Sequence, residues 1–595
     1  MFFPLVVVAA VLPGLYALNW WDLTPPGPWW GLRGLAVREG MWLDQLPLAR
    51  RWPAGEAWGY RWVALQPPLY AWLEGFGFWI SSGRDPIVSV LPSYASGVAV
   101  VVLVYWLGWI WFGPGLGLTA ALLTAFNRQL LIQMQQASPV TLGLAGVLGV
   151  LLAYNQHQRH SANRSWPWVL ASGLSLALAL MSTGLAALVC VPIVLLHQAI
   201  LVAGVGGGVS PGAGRLWRNL RGVAAVPGGV VAAALALALA APWYAMMSQR
   251  YGHDFVMALV EPHPLGVSGP APNLLVSLLD LAPTTLPLAL YALARTARQV
   301  LTAESDDPAT VGGSFWLAWL AVASLVPALW PGGPRGLLGL ILLVPLNLLA
   351  ARVMVDLAYR RIPARTLVWL APLTAMSVAW SLSDSLQEAA HGLGLGQLPA
   401  AQTLLDLHLG LDLILVLAIS TRFLDRWARR RDRRRRVVLA GFLLTVLAIT
   451  AATGLKEVRF RHAETSELID LRTVILRRER REPLDILAVV SPDPATARDQ
   501  GGLSGSPGGR LRFILRSALP HLAQFDLTNI QDLTTLPRRS RLVVLVGPEP
   551  QLPYALQAQL GLETLHPGGR TGIPGGRSGM LTAFASVDSR PRIRR

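Results

Sequence analysis

Long apolar runs recur from Phe2 almost to Leu455, each near the roughly 20 residues a helix needs to cross about 30 Å of hydrocarbon, and then stop. They predict crossings near 2–19, 87–112, 115–133, 137–154, 166–183, 184–203, 222–246, 273–295, 313–331, 335–357, 365–383, 403–424 and 437–455. No Lys or Arg precedes the first run and no small-residue cleavage site follows it, so it reads as a retained span. The apolar piece Pro67–Ile80 is too short to cross and is expected to lie in or dip into the interface. It ends a long Trp-rich loop, 20–86, that carries Asp22, Glu39, Asp44 and Glu56; indole rings favour the headgroup level, so this loop reads as a structured surface along one membrane face.

From about residue 456 the pattern changes. Leu484–Val490, Leu511–Leu515 and Arg541–Val546 are short, partly β-branched runs between turn-rich stretches, which predicts a small α/β domain. The glycine-rich pieces 568–572 and 575–579 lack the Lys-Ser/Thr pair of a phosphate loop and read as flexible loops. The expected architecture is a polytopic α-helical membrane protein of about thirteen spans over 1–455, followed by an extracytoplasmic α/β domain over 456–595.

Composition agrees with that class: 53% of the 595 residues are hydrophobic and 14% charged. The net charge of +17 matters through its distribution rather than as a nucleic-acid signal. Arginines cluster at 159–164, 215–221, 295–298, 360–365 and most densely at 422–436, and the predicted crossings put every cluster on the cytoplasmic side. Loop 20–86, loop 247–272 and the tail then face outward, as in a bacterial inner membrane. The single cysteine, Cys190, excludes an intrachain disulfide and a cysteine metal cage.

Two ordered motifs carry a resemblance. Gln66-Pro67-Pro68-Leu69-Tyr70-Ala71-Trp72-Leu73 is followed by Leu91-Pro92-Ser93-Tyr94; later come Ala241-Pro242-Trp243-Tyr244, Arg250-Tyr251-Gly252-His253-Asp254-Phe255 and Glu261-Pro262-His263. The chain resembles the GT-C class of membrane glycosyltransferases, in particular the group of dolichyl-phosphate-mannose protein mannosyltransferases and lipid A aminoarabinose transferases. That resemblance implies a thirteen-span plan and transfer of a sugar from a polyprenyl-phosphate donor to an unknown glycan, lipid or protein acceptor on the outer face. The chain departs from the family where Pro25 and Pro26 replace an Asp-Glu pair, Gln66 a Lys, and Val90 an Arg.

Such chemistry needs a carboxylate to accept the acceptor's proton and donors for the departing phosphate. Asp22, just past the first span, is the expected base, with Glu39 and Asp44 as alternatives in the same loop. Arg335, in Pro331-Gly332-Gly333-Pro334-Arg335-Gly336, resembles the family's Arg-Tyr-x-x-Pro region and is the expected phosphate ligand, since a guanidinium grips phosphate bidentately. Arg61, Gln66, Arg250, His253, Glu261 and His263 are expected to assist on the same face. Neither a cofactor nor a metal is expected, because His253, Asp254, Glu261 and His263 are irregularly spaced. Asp280, Asp406, His408 and Asp412 fall inside predicted spans. A non-catalytic relative that binds lipid phosphate or a partner is the alternative reading; a transporter would want an inverted repeat that the sequence does not display.

Overall fold

The structure, a computed structural model, describes residues 3–19, 27–42, 63–81, 85–159, 162–204, 227–260, most of 281–302, 308–329, 335–363 with a few gaps, isolated positions up to 374, and five strands between 486 and 586. These group into two compact units, one of 1–20, 66–70 and 92–459, the other of 21–65, 71–91 and 460–595.

The first unit is helical. Its helices are α1 (Phe3–Asn19), α4 (Leu91–Phe112), α5 (Pro114–Ala125), α6 (Arg128–Gln135), α7 (Val140–Arg159), α8 (Ala162–Thr183), α9 (Cys190–Gly204), α10 (Pro227–Tyr251), α11 (His253–Val260), α12 (Leu286–Thr302), α13 (Pro308–Leu329) and α14 (Arg335–Ala358). Among the described residues five helical runs are long and apolar enough to cross a membrane, six when the bent pair α5–α6 counts as one.

Small residues set the tightest seam. Gly143, Gly146 and Gly149 repeat every third residue along α7, and a Cβ on each would stand 2.2, 2.7 and 2.6 Å from Thr183, Ala179 and Ser175 of α8. Only glycine admits so close a backbone approach. The order of these contacts makes α7 and α8 antiparallel. The helical run then continues to Leu201, yet it doubles back: Thr183 lies on Gly143, whereas His197 of α9 hydrogen-bonds Tyr154, far along α7, at 2.7 Å. The reversal is a 3-10 segment, Gly184–Val189, opened by Gly184 at φ 69°, a backbone region that costs side-chain-bearing residues energy.

Two expected crossings are revised. The run 115–133 is a pair of helices bent by 59° rather than one straight span. Asn127 causes the break: its backbone is extended and its side chain accepts from the N–H groups of Gln129 and Leu130, capping α6 in the middle of an apolar run. The run 273–295 is not one helix either, since α12 begins only at Leu286 and continues to Thr302. Polar side chains satisfy the interruption: Asn127 Nδ2 donates to the Leu281 carbonyl at 3.1 Å, Thr285 Oγ1 to Asn347 Oδ1 at 3.2 Å, and Asn347 Nδ2 to Thr124 Oγ1 at 3.2 Å. The crossings expected at 403–424 and 437–455 and almost all of 365–383 lie outside the described residues, as do Asp280, Asp406, His408 and Asp412.

The bundle has two chemically different ends. At one, Arg159 donates to the Ile110 carbonyl at 2.9 Å, Arg352 lies 4.6 Å from the Phe112 ring, and Arg295 pairs with Asp356 at 2.7 Å. The start of α4 marks the other end. Antiparallel α1 finishes toward it, because the Phe3 ring meets Tyr105 at 6.4 Å while Tyr94 Oη donates to the Val11 carbonyl at 3.4 Å. The end of α1 and the start of α4 therefore lie at the same end of this unit.

The second unit holds α2 (Gly27–Arg38), most of α3 (Leu69–Ile80) and a five-stranded sheet. Its strands are β1 (Ile486–Val490), β2 (Ala523–Leu527), β3 (Arg541–Val546), β4 (Leu562–His566) and β5 (Leu581–Ser586), in the order β2-β1-β3-β5-β4. β1 is parallel to β2 and β3, whereas β5 is antiparallel to β3 and β4. The runs read at 484–490 and 541–546 coincide with β1 and β3; Leu511–Leu515 and both glycine-rich pieces lie outside the described residues.

Candidate functional site

The site is built on the turn Gln66–Tyr70. Pro67 and Pro68 have no N–H to give to a helix, so α3 starts directly after them at Leu69. Gln66 Nε2 donates to the Ala258 carbonyl of α11 at 3.0 Å. Pro67, Tyr244 and Leu259 ring Gly184, at 3.7, 3.7 and 3.8 Å from where its Cβ would stand. Tyr244 Oη donates to the Leu180 carbonyl at 2.9 Å, and its neighbour Trp243 packs edge-on against Phe255, with centroids 5.5 Å apart.

On the other flank Tyr70 enters a chain of hydroxyls. Ser93 Oγ donates to the Ser138 carbonyl at 2.8 Å, so the 2.7 Å bond between Tyr70 and Ser93 has the phenol as donor. Thr141 Oγ1 reaches the Ser93 carbonyl at 3.1 Å and meets Ser96 Oγ at 2.7 Å. The two motifs 66–73 and 91–94, and the later 241–244, thus converge on one end of the bundle.

The predicted site residues fare unequally. Gln66 is in the turn, but its amide nitrogen is spent on a backbone carbonyl. Arg250 and His253 are exposed on the junction of α10 and α11, the Arg250 guanidinium 5.9 Å from the Tyr251 ring. Glu39 is exposed in the turn after α2, in the other unit. Arg335 opens α14, and its backbone lies at the end opposite Arg352; its side chain is outside the described set. Asp22, Asp44, Arg61, Glu261 and His263 also lie outside the described residues.

The dolichyl-phosphate-mannose-protein mannosyltransferase family model matches residues 65–208, the stretch holding the turn, the hydroxyl chain and the reversal at Gly184. Among solved structures, the chain is similar to ArnT from Cupriavidus metallidurans bound to undecaprenyl phosphate, with TM-score 0.59 and 15% identity over 99% of both chains. The apo state of that ArnT gives 0.58 at 15% identity, again over 99% of each chain. The chain has the GT-C glycosyltransferase fold. The oligosaccharyltransferase of Archaeoglobus fulgidus superposes at TM-score 0.48 with 12% identity, over 89% of this chain and 65% of that one. No curated protein matches in sequence.

One feature of the chain escapes a reading of sequence motifs. In the second unit, Glu74 of α3 and Arg33 of α2 are both buried. A Cβ on Gly34 would stand 2.5 Å from the Glu74 Cβ, and one on Gly75 2.5 Å from Val37, so paired glycines bring α2 and α3 together. Arg33 donates to the Val63 carbonyl at 2.7 Å and lies 5.2 Å from the Trp30 ring. Neither Glu74 oxygen has a hydrogen-bond partner among the described residues. Burial pushes the Glu74 carboxyl well above the usual range, and the Arg33 charge only partly opposes it. The signal available was a lone acid in the apolar run Leu69–Ile80.

Along α3, Trp72 and Trp79, seven residues apart, differ in exposure. Trp72 is half-buried and its indole N–H bonds the Trp42 carbonyl at 2.8 Å. The exposed apolar stripe is Leu73, Phe76, Trp79 and Ile80, with Trp79 70% exposed.

Proposed function

We propose that this protein moves a sugar from a polyprenyl-phosphate-linked donor to an acceptor at the outer face of a bacterial inner membrane. The observation that carries the reading is the gathering of the Gln66–Tyr70 turn, the Trp243-Tyr244 span end and the Gly184 reversal at one end of the bundle, opposite the arginine-rich end. The fold shared with an ArnT bound to undecaprenyl phosphate supports a lipid-phosphate donor. In this reading the polyprenyl chain approaches through the bilayer, and Arg335, assisted by Arg61, Arg250 and His253, meets the phosphate. Asp22, with Glu39 or Asp44 as substitutes, takes the acceptor's proton. Glu261 and His263 complete the outer loop.

Purified protein in nanodiscs, given undecaprenyl phosphate carrying a radiolabelled sugar and outer-envelope acceptors, should release undecaprenyl phosphate and label an acceptor. Asp22→Asn should abolish turnover while leaving lipid binding in place; full turnover in that variant removes Asp22 from the mechanism. The bond between Gln66 and the Ala258 carbonyl favours a second reading, a non-catalytic relative. There a residue that the family uses as a cation is neutral and structural, and the protein would bind polyprenyl phosphate without turning over any donor.

A further inference from the structure

The buried acid of α3 stands one helical turn from the site turn. Glu74 follows Tyr70, whose phenol donates to Ser93, by four residues on the same helix. Its side chain is wholly buried in the contact with α2, where a Cβ on Gly34 would meet the Glu74 Cβ at 2.5 Å and its Oε2 at 2.9 Å. Gly75 repeats the close approach one residue on, since a Cβ there would stand 3.1 Å from the Gly34 carbonyl oxygen. The carboxyl is thus laid against the backbone of α2, in a seam that two glycines keep narrow.

The charged groups around it are few among the described residues. On α2, Arg33 is the cation whose charge reaches Glu74, and its guanidinium also donates to the Val63 carbonyl and lies over the Trp30 ring. Arg38 ends α2 and Glu39 follows it, exposed. The 3-10 segment Pro86–Val90 packs on α3 through Val88, 3.0 Å from a Cβ on Gly77; its charged neighbour is Asp85, which accepts from the Ile87 N–H. Burial outweighs the Arg33 charge and keeps the carboxyl protonated above the usual carboxylate range. A carboxylate there would be costly to keep from water, and parting α2 from α3 relieves that cost.

We infer that Glu74 is a positioning residue that makes turnover sensitive to pH: protonated, it lets α2 and α3 close through Gly34 and Gly75 and holds the head of α3, with Tyr70, in place; ionised, it loosens that contact. This rests on the glycosyl-transfer reading above. The direction follows from linkage. Opening the seam returns the carboxyl to an ordinary pKa of about 4.3, so above that pH the open form gains by up to about tenfold per pH unit until the folded value is passed. Turnover therefore slows toward alkaline pH.

The test uses the full chain in nanodiscs, with the parent beside Glu74→Gln, which keeps the shape and has no proton to lose. Hydrogen exchange of the α2 and α3 amides is followed by mass spectrometry across the acid to alkaline range; its chemical pH dependence is common to both chains and cancels in their ratio. Over the same range kcat and KM for undecaprenyl phosphate release are measured with undecaprenyl phosphate carrying mannose, glucose or aminoarabinose. The parent's α2 and α3 amides should exchange as fast as those of Glu74→Gln near pH 4 and faster above it, by up to about tenfold per pH unit. The kcat values should part over the same range, with the parent the slower chain, whereas a merely structural Glu74 would leave their ratio level. Gly34→Ala wedges the helices apart at every pH, so near pH 4 it should exchange faster than the parent and turn over more slowly. A level exchange ratio would overturn the inference, as would diverging exchange with a level kcat ratio, or a Gly34→Ala chain that exchanges faster yet keeps the parent's kcat. Each of these leaves the functional reading standing, because the parent turns over. A parent with no turnover on any of these donors sinks the functional reading and this inference with it.

Discussion

Replacing Glu74 by Gln tests the physics of the α2–α3 contact. The carboxyl is 0% exposed, accepts no hydrogen bond among the described residues, and sits against Gly34 with Arg33 nearby. Burial raises its pKa more than Arg33 lowers it, so the folded protein holds the proton where an unfolded chain has already lost it. The sign follows from linkage. A carboxyl with a raised folded pKa contributes stability that is fully present below the ordinary carboxylate pKa of about 4.3 and is lost as pH rises through the folded value. Within that window each pH unit removes about 1.4 kcal/mol.

Glu74→Gln has nearly the same shape and no proton to lose. Its stability should match the parent near pH 4 and exceed it increasingly toward alkaline pH. Arg33→Gln removes the opposing charge, so the parent's loss of stability should begin at the same pH and extend to a higher one, on top of a uniform loss of about 0.5–1.5 kcal/mol from the bond to the Val63 carbonyl. The assay is the unfolding midpoint of nanodisc-embedded protein, followed by tryptophan fluorescence from pH 4 to 9. Parallel profiles for the parent and Glu74→Gln would refute a buried, proton-holding Glu74.

Gly184→Ala should cost about 1–2 kcal/mol, measured by chemical unfolding, through backbone strain alone, because φ is 69° and its nearest neighbours stand at ordinary contact distances of 3.7–3.8 Å. Gly184→Asn should cost less, since Asn visits that region more readily. Tyr70→Phe removes the phenol's bond to Ser93 and should lower stability by about 0.5–1.5 kcal/mol while slowing transfer, measured as kcat for undecaprenyl phosphate release; an unchanged kcat would detach the hydroxyl chain from the site. In a Cys190→Ala chain, cysteines at Ser82 and Arg84 should react with a membrane-impermeant reagent from the outer side. Labelling from the cytoplasm alone would mean that Pro67–Ile80 crosses.

Apolar runs are legible in sequence because crossing hydrocarbon demands length, so expected spans at 2–19, 87–112 and 335–357 land within a residue or two of α1, the 3-10 segment Pro86–Val90 with α4, and α14. Breaks inside runs are not legible in the same way. A hydropathy average barely registers Asn127, yet its extended backbone and two accepted N–H bonds end one helix and start another. Pairing across the fold hides further: Gln66 looks like a lost cation until the carbonyl of Ala258, 192 residues away, takes its amide. Glu74 is hidden for the opposite reason: the run around it stands out by its length and its tryptophans, whereas the glycines that bury the carboxyl lie on both α2 and α3. Strands β2, β4 and β5 are short and carry polar residues such as Gln524, Asp526, Glu563 and Ser586, so none presents an unbroken apolar run of strand length.

The two ends of the bundle make the departures at Gln66 and Val90 intelligible. At the end near Phe112 the cations are already engaged: Arg352 with Thr296 and Gln299, Arg295 with Asp356, Arg159 with a backbone carbonyl. At the other end the buried polar groups among the described residues of this unit are neutral hydroxyls, an amide and an indole. An anion is poorly served there by neutral groups alone, because its desolvation needs charge or several aligned donors. The helix that carries Arg352 over Phe112 begins, seventeen residues earlier, with Arg335; at about 1.5 Å per residue that is about 25 Å of helix, enough to bring Arg335 to the neutral end. In a chain with Gln at 66 and Val at 90, the charge that the turn lacks is therefore supplied, in the proposed mechanism, from α14 across the bundle rather than from the turn itself.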